Sequence, residues 1–111
     1  SAHNAHGFAE IFAQLGQEKY NTLHMVLGFV KEKDLDAILP MFPKEAHYYF
    51  CTPKIDRGLS APLLQEKAAS YGLRGDAFPS VESALAQARE QAHTDDFIYI
   101  GGSTFVVAEV V

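Results

Sequence analysis

The sequence predicts an α/β fold: a Rossmann-like, three-layer domain with a mainly parallel sheet and helices on both faces. Short apolar runs bounded by turn residues alternate with amphipathic segments along the 111 residues, as in chains that build parallel sheets. The run 22–28 is mostly apolar at consecutive positions, which is typical of a strand buried on both faces. With 48% hydrophobic residues the chain can bury one core, so we expect one domain over residues 1–111.

Strands and helices alternate in the first half of the chain. After the strand over 22–28, apolar residues at helical spacing predict a helix over 34–42. The residues of this apolar stripe are Leu35, Ile38, Leu39 and Phe42. A second strand is expected over 46–51. Ser60 is suited to cap the next helix, and Gly72 to end it in a left-handed conformation.

The second half repeats the pattern. A weak strand is expected over 74–78, where only the last two residues are apolar. Ser80 can cap the following helix, and Ser83 is a weaker partner for its first-turn N–H groups. The run 97–100 is the last clear strand, entered through a turn that contains two aspartates.

The tail 104–111 carries conflicting signals. Its four valines favour a strand by intrinsic propensity. Ser103, which follows two glycines, is instead typical of a helix cap. Local evidence alone predicts a strand for this tail.

Charge and composition exclude several classes of protein. The formal net charge is -5 without a cluster of Lys or Arg, so we expect no nucleic-acid partner. No apolar stretch approaches the thickness of a bilayer, and the first residues lack the features of a signal peptide. Cys51 is the only cysteine, which excludes an internal disulfide and favours a buried, inert thiol. We therefore expect a cytoplasmic protein without a membrane partner.

The sequence lacks the familiar catalytic and metal-binding patterns. His3 and His6 are the only histidines close together, and no cysteine or carboxylate at metal spacing accompanies them, so we expect no metal site. His24 and His47 fall inside strand patterns, where a hydrogen-bonded structural histidine is the usual outcome. Neither a GxGxxG fingerprint nor a phosphate-binding P-loop occurs, and Ser103 has no identified base, so nucleophilic catalysis is unsupported.

Three loops that follow strands are candidates for a binding site: 28–34, 52–58 and 101–103. Because ligands of open parallel sheets bind beyond the carboxyl ends of the strands, we expect these loops to lie at one edge. A lysine in the first loop could meet an anionic substrate there, although solvated charge is the usual explanation. The Ser103 hydroxyl could hold a carboxylate or phosphate oxygen, although plain helix capping is the simpler explanation.

The start of the chain offers a fourth candidate site. His3, Asn4 and Gly7 precede an amphipathic segment, so N–H groups and a polar side chain gather at a predicted helix N-terminus, where anions bind. A phosphate-facing turn normally follows a strand, and the sequence shows none before His3. We therefore expect a fragment of a larger protein, with its first strand truncated.

Taken in order, four groups of residues resemble one enzyme family. They are His3-Asn4-Ala5-His6-Gly7, the strand 23–28 followed by Lys33-Asp34, Pro53 with Arg57, and Gly101-Gly102-Ser103 through Glu109. The family is folylpolyglutamate synthase with dihydrofolate synthase, within the Mur ligase superfamily. The resemblance covers the whole chain but only the C-terminal domain of those enzymes. The family pattern Asp-Xaa-Ala-His-Asn-Pro appears as Ala2-His3-Asn4, with Ala5 in place of proline and without the aspartate that contacts the nucleotide ribose.

The resemblance implies roles for four residues and matches a fifth. His3 matches the histidine that approaches the ATP phosphates and the reacting centre, and Asn4 supports its turn. Lys33 and Ser103 match positions that hold the incoming glutamate. Arg57 matches the arginine of a Pro-to-Arg loop whose role is not assigned. The resemblance also implies that the tail is a helix, against its local propensity.

The resemblance implies an ATP-dependent ligase that adds L-glutamate to dihydropteroate, to (tetrahydro)folate or to both. ATP would phosphorylate a carboxylate, and the glutamate amine would attack the resulting acyl phosphate. ATP and Mg2+ would be held mainly by the enzyme's own N-terminal domain, so the chain alone should not catalyse ligation. Two alternatives stay open: a Mur-type ligase acting on a cell-wall precursor, and a non-catalytic α/β domain that binds a small anion.

Overall fold

A computed structural model describes residues 5–16 and 20–109. Within these ranges the chain forms five α-helices and four strands. The helices are α1 (Ala5–Leu15), α2 (Leu35–Ile38), α3 (Ala61–Ala69), α4 (Val81–Gln91) and α5 (Thr104–Ala108). The strands are β1 (Leu23–Leu27), β2 (His47–Cys51), β3 (Gly75–Phe78) and β4 (Phe97–Gly101). None of the helices in the described ranges has the length and hydropathy needed to cross a bilayer.

The four strands form one parallel sheet in the order β3-β2-β1-β4. β1 lies inside the sheet, where it pairs with β2 on one side and β4 on the other, and all five of its residues are buried. In this register Val26 lies opposite Tyr49 of β2 and Ile100 of β4. The predicted parallel sheet and its doubly buried strand are confirmed.

Helices cover both faces of the sheet. One core cluster joins α1, α2 and α3 to the sheet, and its largest buried side chains include Phe8, Phe29, Phe42, Tyr48 and Phe50. The other cluster joins α4 and α5 to the opposite face through Val26, Tyr49, Cys51, Val81, Ala84, Leu85, Ala88 and Val106. Alternate residues of β1 and β2 face opposite cores, as the pleat of a strand requires. The predicted three-layer architecture is confirmed.

Three predicted helix signals are confirmed. Ser60 caps α3, and its hydroxyl accepts the N–H of Leu63 at 3.3 Å. Ser80 and Ser83 form a capping box at the start of α4, in which the Ser83 N–H donates to the Ser80 hydroxyl at 3.0 Å. Gly72 has a φ of 80°, the left-handed conformation expected after α3.

The predicted helix over 34–42 is wrong in its length. α2 ends at Ile38, and Leu39–Met41 form a 3-10 turn. The reason is Pro40, which lacks the N–H that would continue the α-helical hydrogen bonds. The strand boundaries differ by one residue from prediction: β1 is Leu23–Leu27 and not 22–28, β2 begins at His47, β3 begins at Gly75 and β4 extends to Gly101.

The tail forms α5, so the strand favoured by local propensity is wrong and the helix implied by the family resemblance is confirmed. Val106 is fully buried against the sheet, and the Ser103 hydroxyl caps the helix. Burial and capping together outweigh the strand propensity of the valines. Residues 110 and 111 lie outside the described residues.

Candidate functional site

β1 is the strand at which the order of the sheet reverses. The chain continues from β1 to β2 on one side, whereas β4 pairs with β1 on the other. In open parallel sheets such a reversal leaves a crevice at the carboxyl ends of the two strands, where ligands bind. Here the reversal brings together Gly28, directly after β1, and the turn 101–103 at the end of β4. Two of the three predicted loops therefore meet at the reversal.

Glycines let the strand ends approach one another closely. The Gly28 N–H donates to the Gly101 carbonyl at 3.3 Å. Gly102 has a φ of +96°, and a Cβ there would lie 2.5 Å from the Gly28 carbonyl oxygen. A Cβ on Gly28 would lie 2.8 Å from the Cys51 carbonyl oxygen at the end of β2. The ends of β1, β2 and β4 are thus packed at a spacing that a side chain would prevent.

Ser103 follows this turn and is buried, with 8% of its surface exposed. Its hydroxyl oxygen accepts the N–H of Phe105 at 3.2 Å. The helix-cap explanation offered by the sequence is confirmed. A hydroxyl that accepts one hydrogen bond still has an O–H to donate. Ser103 can therefore cap α5 and also hold an anionic oxygen of a ligand.

The loops after β1 and β2 are joined into one unit, which we call the paired loops (28–34 and 52–59). An antiparallel bridge connects their backbones. Beside it, the Lys31 N–H donates to the Arg57 carbonyl at 2.7 Å. Two loops that the sequence predicted as separate candidates are therefore one structural element at the carboxyl edge of the sheet.

Lys33 lies on the first of the paired loops, which follows the carboxyl end of β1. Its N–H donates to the Val30 carbonyl at 3.2 Å, and the residue is partly buried. This burial lowers the pKa of its ammonium group. Among residues 5–16 and 20–109, no carboxylate forms an ion pair with Lys33. Its charge is thus available to an anionic ligand.

Arg57 lies on the second of the paired loops and is exposed. Its Nη1 donates to the Glu32 carboxylate at 3.3 Å. Its guanidinium carbon lies 5.4 Å from the centre of the Phe105 ring. Exposed ion pairs and cation–π contacts add little to stability. Their effect here is geometric, because they connect both paired loops to α5.

A second contact reaches the same loop from Glu109, the residue that caps the end of α5. The Glu109 Oε2 atom accepts the Lys54 N–H at 2.7 Å. Phe105 and Glu109 are four residues apart, so they share one face of the helix. Sequence reasoning missed the contacts of Glu32, Phe105 and Glu109. The helical spacing of the last two indicated a shared face, but nothing in the sequence showed which loop that face meets.

His3 and Asn4, the remaining predicted site residues, lie outside the described residues, as does the expected truncated strand. The predicted helix at the start of the chain is present as α1. The roles of His3 and Asn4 stay predictions. Within the described ranges, no group of three His, Cys, Asp or Glu side chains is arranged to hold a metal ion.

Cys51 and His24 are buried residues with structural hydrogen bonds. Cys51 is fully buried, and its thiol donates to the Leu27 carbonyl at 3.3 Å. Burial, with a smaller effect from the charge of Glu109, raises the pKa of this thiol to about 12, and the predicted burial of the cysteine is confirmed. His24 is buried and hydrogen-bonded, as predicted. The same expectation is wrong for His47, which is exposed because it begins β2.

A family comparison assigns this fold. The model of the Mur ligase, glutamate ligase domain, matches residues 1–104. The chain belongs to this family. Over 97% of its length, the Mur ligase domain is 33% identical to the Halobacterium salinarum protein named "Probable bifunctional folylpolyglutamate synthase/dihydropteroate synthase", of which it covers 13%.

Solved structures share the fold of this Mur ligase domain. It matches E. coli FolC in complex with DHPP and ADP with a TM-score of 0.83 and 25% identity. A bifunctional folylpolyglutamate synthase/dihydrofolate synthase with Mn, AMPPNP and L-glutamate bound gives a TM-score of 0.84 and 28% identity. Each match covers 98% of the domain and 26% of the other chain. The chain therefore spans about a quarter of these structures and less of the curated relative.

Proposed function

We propose that residues 1–111 form the C-terminal, glutamate-binding domain of a larger ATP-dependent ligase, which joins L-glutamate to dihydropteroate, to (tetrahydro)folate or to both. The observation that carries the proposal is the reversal of the sheet at β1, because the loop that follows β1 carries Lys33 and the turn that follows β4 ends in Ser103. The presence of L-glutamate in a structurally similar synthase supports the choice of ligand. Such an enzyme would act in the cytoplasm.

The proposed reaction has two steps. The terminal phosphoryl group of ATP passes to a carboxylate oxygen of the acceptor, which gives an acyl phosphate and ADP. The glutamate amine then attacks the acyl carbon, the bond from that carbon to the phosphate oxygen breaks, and the amine loses a proton. The products are an amide and inorganic phosphate.

Lys33 and Ser103 would hold the glutamate during the second step. The Lys33 ammonium offsets the charge of a glutamate carboxylate, and the Ser103 O–H donates to a carboxylate oxygen. Neither residue forms or breaks a covalent bond. They contribute by placing the amine nitrogen beside the acyl carbon, which removes much of the entropic cost of the encounter.

The nucleotide side of the reaction involves His3 and Asn4. His3 would approach the ATP phosphates and the reacting centre, and Asn4 would support its turn. ATP and Mg2+ would be held mainly by the N-terminal domain of the same protein, the expected partner of this domain. Bound Mg2+ supplies neutralising charge to the phosphates. Closure of the two domains would bring the acyl phosphate to the glutamate.

The test uses the full-length protein with ATP, Mg2+, L-glutamate and either dihydropteroate or tetrahydrofolate. We expect ADP release that depends on both glutamate and a pterin acceptor, with a product one glutamyl residue heavier. The isolated domain is expected to release no ADP. Glutamate-independent ADP release, or none, from the full-length protein would overturn the proposal. Turnover only with a cell-wall precursor would support the Mur-type alternative instead.

Variants of Lys33 test its assignment within the same assay. We expect Lys33→Ala to raise the KM for glutamate at least about tenfold, because a charge-assisted hydrogen bond is lost, with the KM for ATP unchanged. Lys33→Arg should recover part of the loss. Lys31→Ala removes an exposed lysine two residues away and serves as the control. Equal KM values for the Lys31 and Lys33 variants would reject the role of Lys33.

Variants of Ser103 separate capping from ligand binding. Ser103→Thr keeps a hydroxyl and a cap, whereas Ser103→Ala removes both and should lower stability by about 1 kcal/mol. We expect the KM for glutamate to rise in the alanine variant and to stay near the wild-type value in the threonine variant. An alanine variant with lower stability but an unchanged KM would leave Ser103 with capping as its only role.

A further inference from the structure

We propose that Phe105 and Glu109 are positioning residues, which hold the paired loops and Ser103 in one arrangement so that Lys33 and Ser103 can engage the same amino-acid substrate. The identity of that substrate rests on the proposed function. The arrangement itself rests on contacts within the described residues.

Phe105 connects Ser103 to Arg57. Its backbone N–H donates to the Ser103 hydroxyl at 3.2 Å. Its ring lies 5.4 Å from the guanidinium carbon of Arg57. Phe105 is 38% exposed, so packing in the core accounts for only part of its contacts. One residue therefore contacts both the cap of α5 and the second of the paired loops.

Glu109 fixes the same loop at a second point. Its Oε2 accepts the Lys54 N–H at 2.7 Å, a short distance typical of a charge-assisted hydrogen bond. Val106, which precedes Glu109 by three residues, is fully buried against the sheet. Val106 thus anchors α5 to the sheet, while Glu109 and Phe105 contact the loop at Lys54 and at Arg57.

The paired loops carry this constraint to Lys33. The Arg57 carbonyl accepts the Lys31 N–H at 2.7 Å, and the Arg57 Nη1 donates to the Glu32 carboxylate at 3.3 Å. Lys33 is the next residue along the chain. A displacement of the second loop relative to α5 would therefore change the position of Lys33 relative to Ser103.

A substrate held from two elements binds best when those elements are fixed before it arrives, because less ordering is then needed on binding. Loss of the α5 contacts should therefore raise the KM for glutamate. The KM for ATP should stay constant, because ATP is proposed to bind mainly elsewhere. A general loss of folding would lower activity without this selectivity for one substrate.

The experiment compares matched variants of the full-length protein. Glu109→Ala removes the acceptor of the Lys54 N–H, whereas Glu109→Gln keeps an accepting oxygen and removes the charge. We expect the alanine variant to raise the KM for glutamate about fivefold and the glutamine variant to stay within about twofold of wild type. Hydrogen exchange over residues 52–59 should quicken in the alanine variant only.

Phe105 is tested in the same way. Phe105→Tyr keeps an aromatic face for Arg57, whereas Phe105→Leu removes it. We expect a raised KM for glutamate in the leucine variant only. Val107→Ala changes an equally exposed residue on the same helix, 38% exposed, and should leave the KM for glutamate unchanged.

Three outcomes would overturn the inference. Equal KM increases in the Ala and Gln variants of Glu109 would show that its charge acts, not its position. Faster exchange with a wild-type KM would show that the loop moves without affecting binding. Unchanged exchange in Glu109→Ala would show that the contact does not hold the loop. If the wild-type protein shows no glutamate-dependent turnover, the proposed function is rejected instead. Hydrogen exchange would then still show whether Glu109 holds the loop 52–59.

Discussion

The Nδ1 atom of His24 lies 2.8 Å from the hydroxyl oxygen of Tyr49 on the neighbouring strand. Both residues are buried, at 2% and 3% exposure. The Tyr49 hydroxyl donates to the Gln91 Oε1 atom of α4 at 2.8 Å, and the His24 Nε2 atom donates to Asp96 Oδ2 at 2.8 Å. One polar network therefore connects β1, β2, α4 and the turn before β4.

The first prediction concerns Tyr49. Replacing it with phenylalanine removes the hydroxyl, which leaves a polar atom of the buried His24 without this partner and removes the hydrogen bond to the exposed Gln91. We expect Tyr49→Phe to lower the free energy of unfolding by about 1–3 kcal/mol, measured by urea denaturation. Tyr99→Phe is the matched control, because no described residue forms a hydrogen bond with the Tyr99 hydroxyl. Equal stability of the two variants would contradict the importance of the network.

The second prediction concerns pH and Asp96. The His93 N–H and the His24 side chain donate to its carboxylate and lower the pKa of Asp96. The unfolded chain, in which aspartate titrates near pH about 3.9, therefore binds this proton more tightly than the folded protein does. The resulting stabilisation is complete above that pH and is lost as the pH falls through the lower folded-state pKa.

We expect Asp96→Asn to be less stable than wild type at pH about 7 and to lose less additional stability on acidification to pH about 2. The measurement is the free energy of unfolding from urea titrations at several pH values. Asp95→Asn, at the exposed neighbouring position, should decline with pH as wild type does. If the free energy of unfolding falls in parallel with pH in wild type and Asp96→Asn, the carboxyl of Asp96 does not account for the acid sensitivity.

The sheet could be predicted from the sequence because its signal is local. The consecutive apolar residues of 22–28 indicate burial on both faces, and each following strand is separated by a helix with recognisable caps such as Ser60 and Ser80. The network around His24 could not be predicted, because its partners lie 25 and 72 residues away in sequence. Histidine in a strand indicates that partners exist but not which residues they are.

The candidate site was predictable in part for the same reason. Parallel strands place the loops that follow them at one edge, so 28–34, 52–58 and 101–103 could be grouped in advance. The pairing of the first two loops depends on a backbone bridge that no side-chain pattern signals. The helix of the tail also escaped local reasoning, because burial of Val106 decides it and burial is a property of the whole fold.

The third prediction concerns the reactivity of Cys51. Its thiol is fully buried, donates to the Leu27 carbonyl, and has a pKa raised to about 12. Because the thiolate is the reactive form, we expect no reaction with an aromatic disulfide reagent at pH about 8 in the native protein and rapid reaction after unfolding in urea. Fast labelling of the native protein would show that the end of β2 opens readily. The labelling rate, followed by absorbance, measures that opening.

The last prediction concerns the backbone at the adjacent ends of β1 and β4. Gly102 has a φ of +96°, and a Cβ there would lie 2.5 Å from the Gly28 carbonyl oxygen, so alanine can fit only if the turn before Ser103 moves. We expect Gly102→Ala to lower the free energy of unfolding by about 1–3 kcal/mol and, in the full-length protein, to raise the KM for glutamate.

Gly16→Ala is the control for this substitution, because a Cβ at Gly16 would meet the Phe12 carbonyl oxygen at an ordinary 3.5 Å. Its stability should stay within about 0.5 kcal/mol of wild type. If Gly102→Ala matches that control in both stability and KM, the close approach of the β1 and β4 ends does not set the position of Ser103. If Gly102→Ala loses stability but binds glutamate normally, the approach serves folding alone. A raised KM measured at a temperature where the variant is fully folded ties the strand-end geometry to substrate binding.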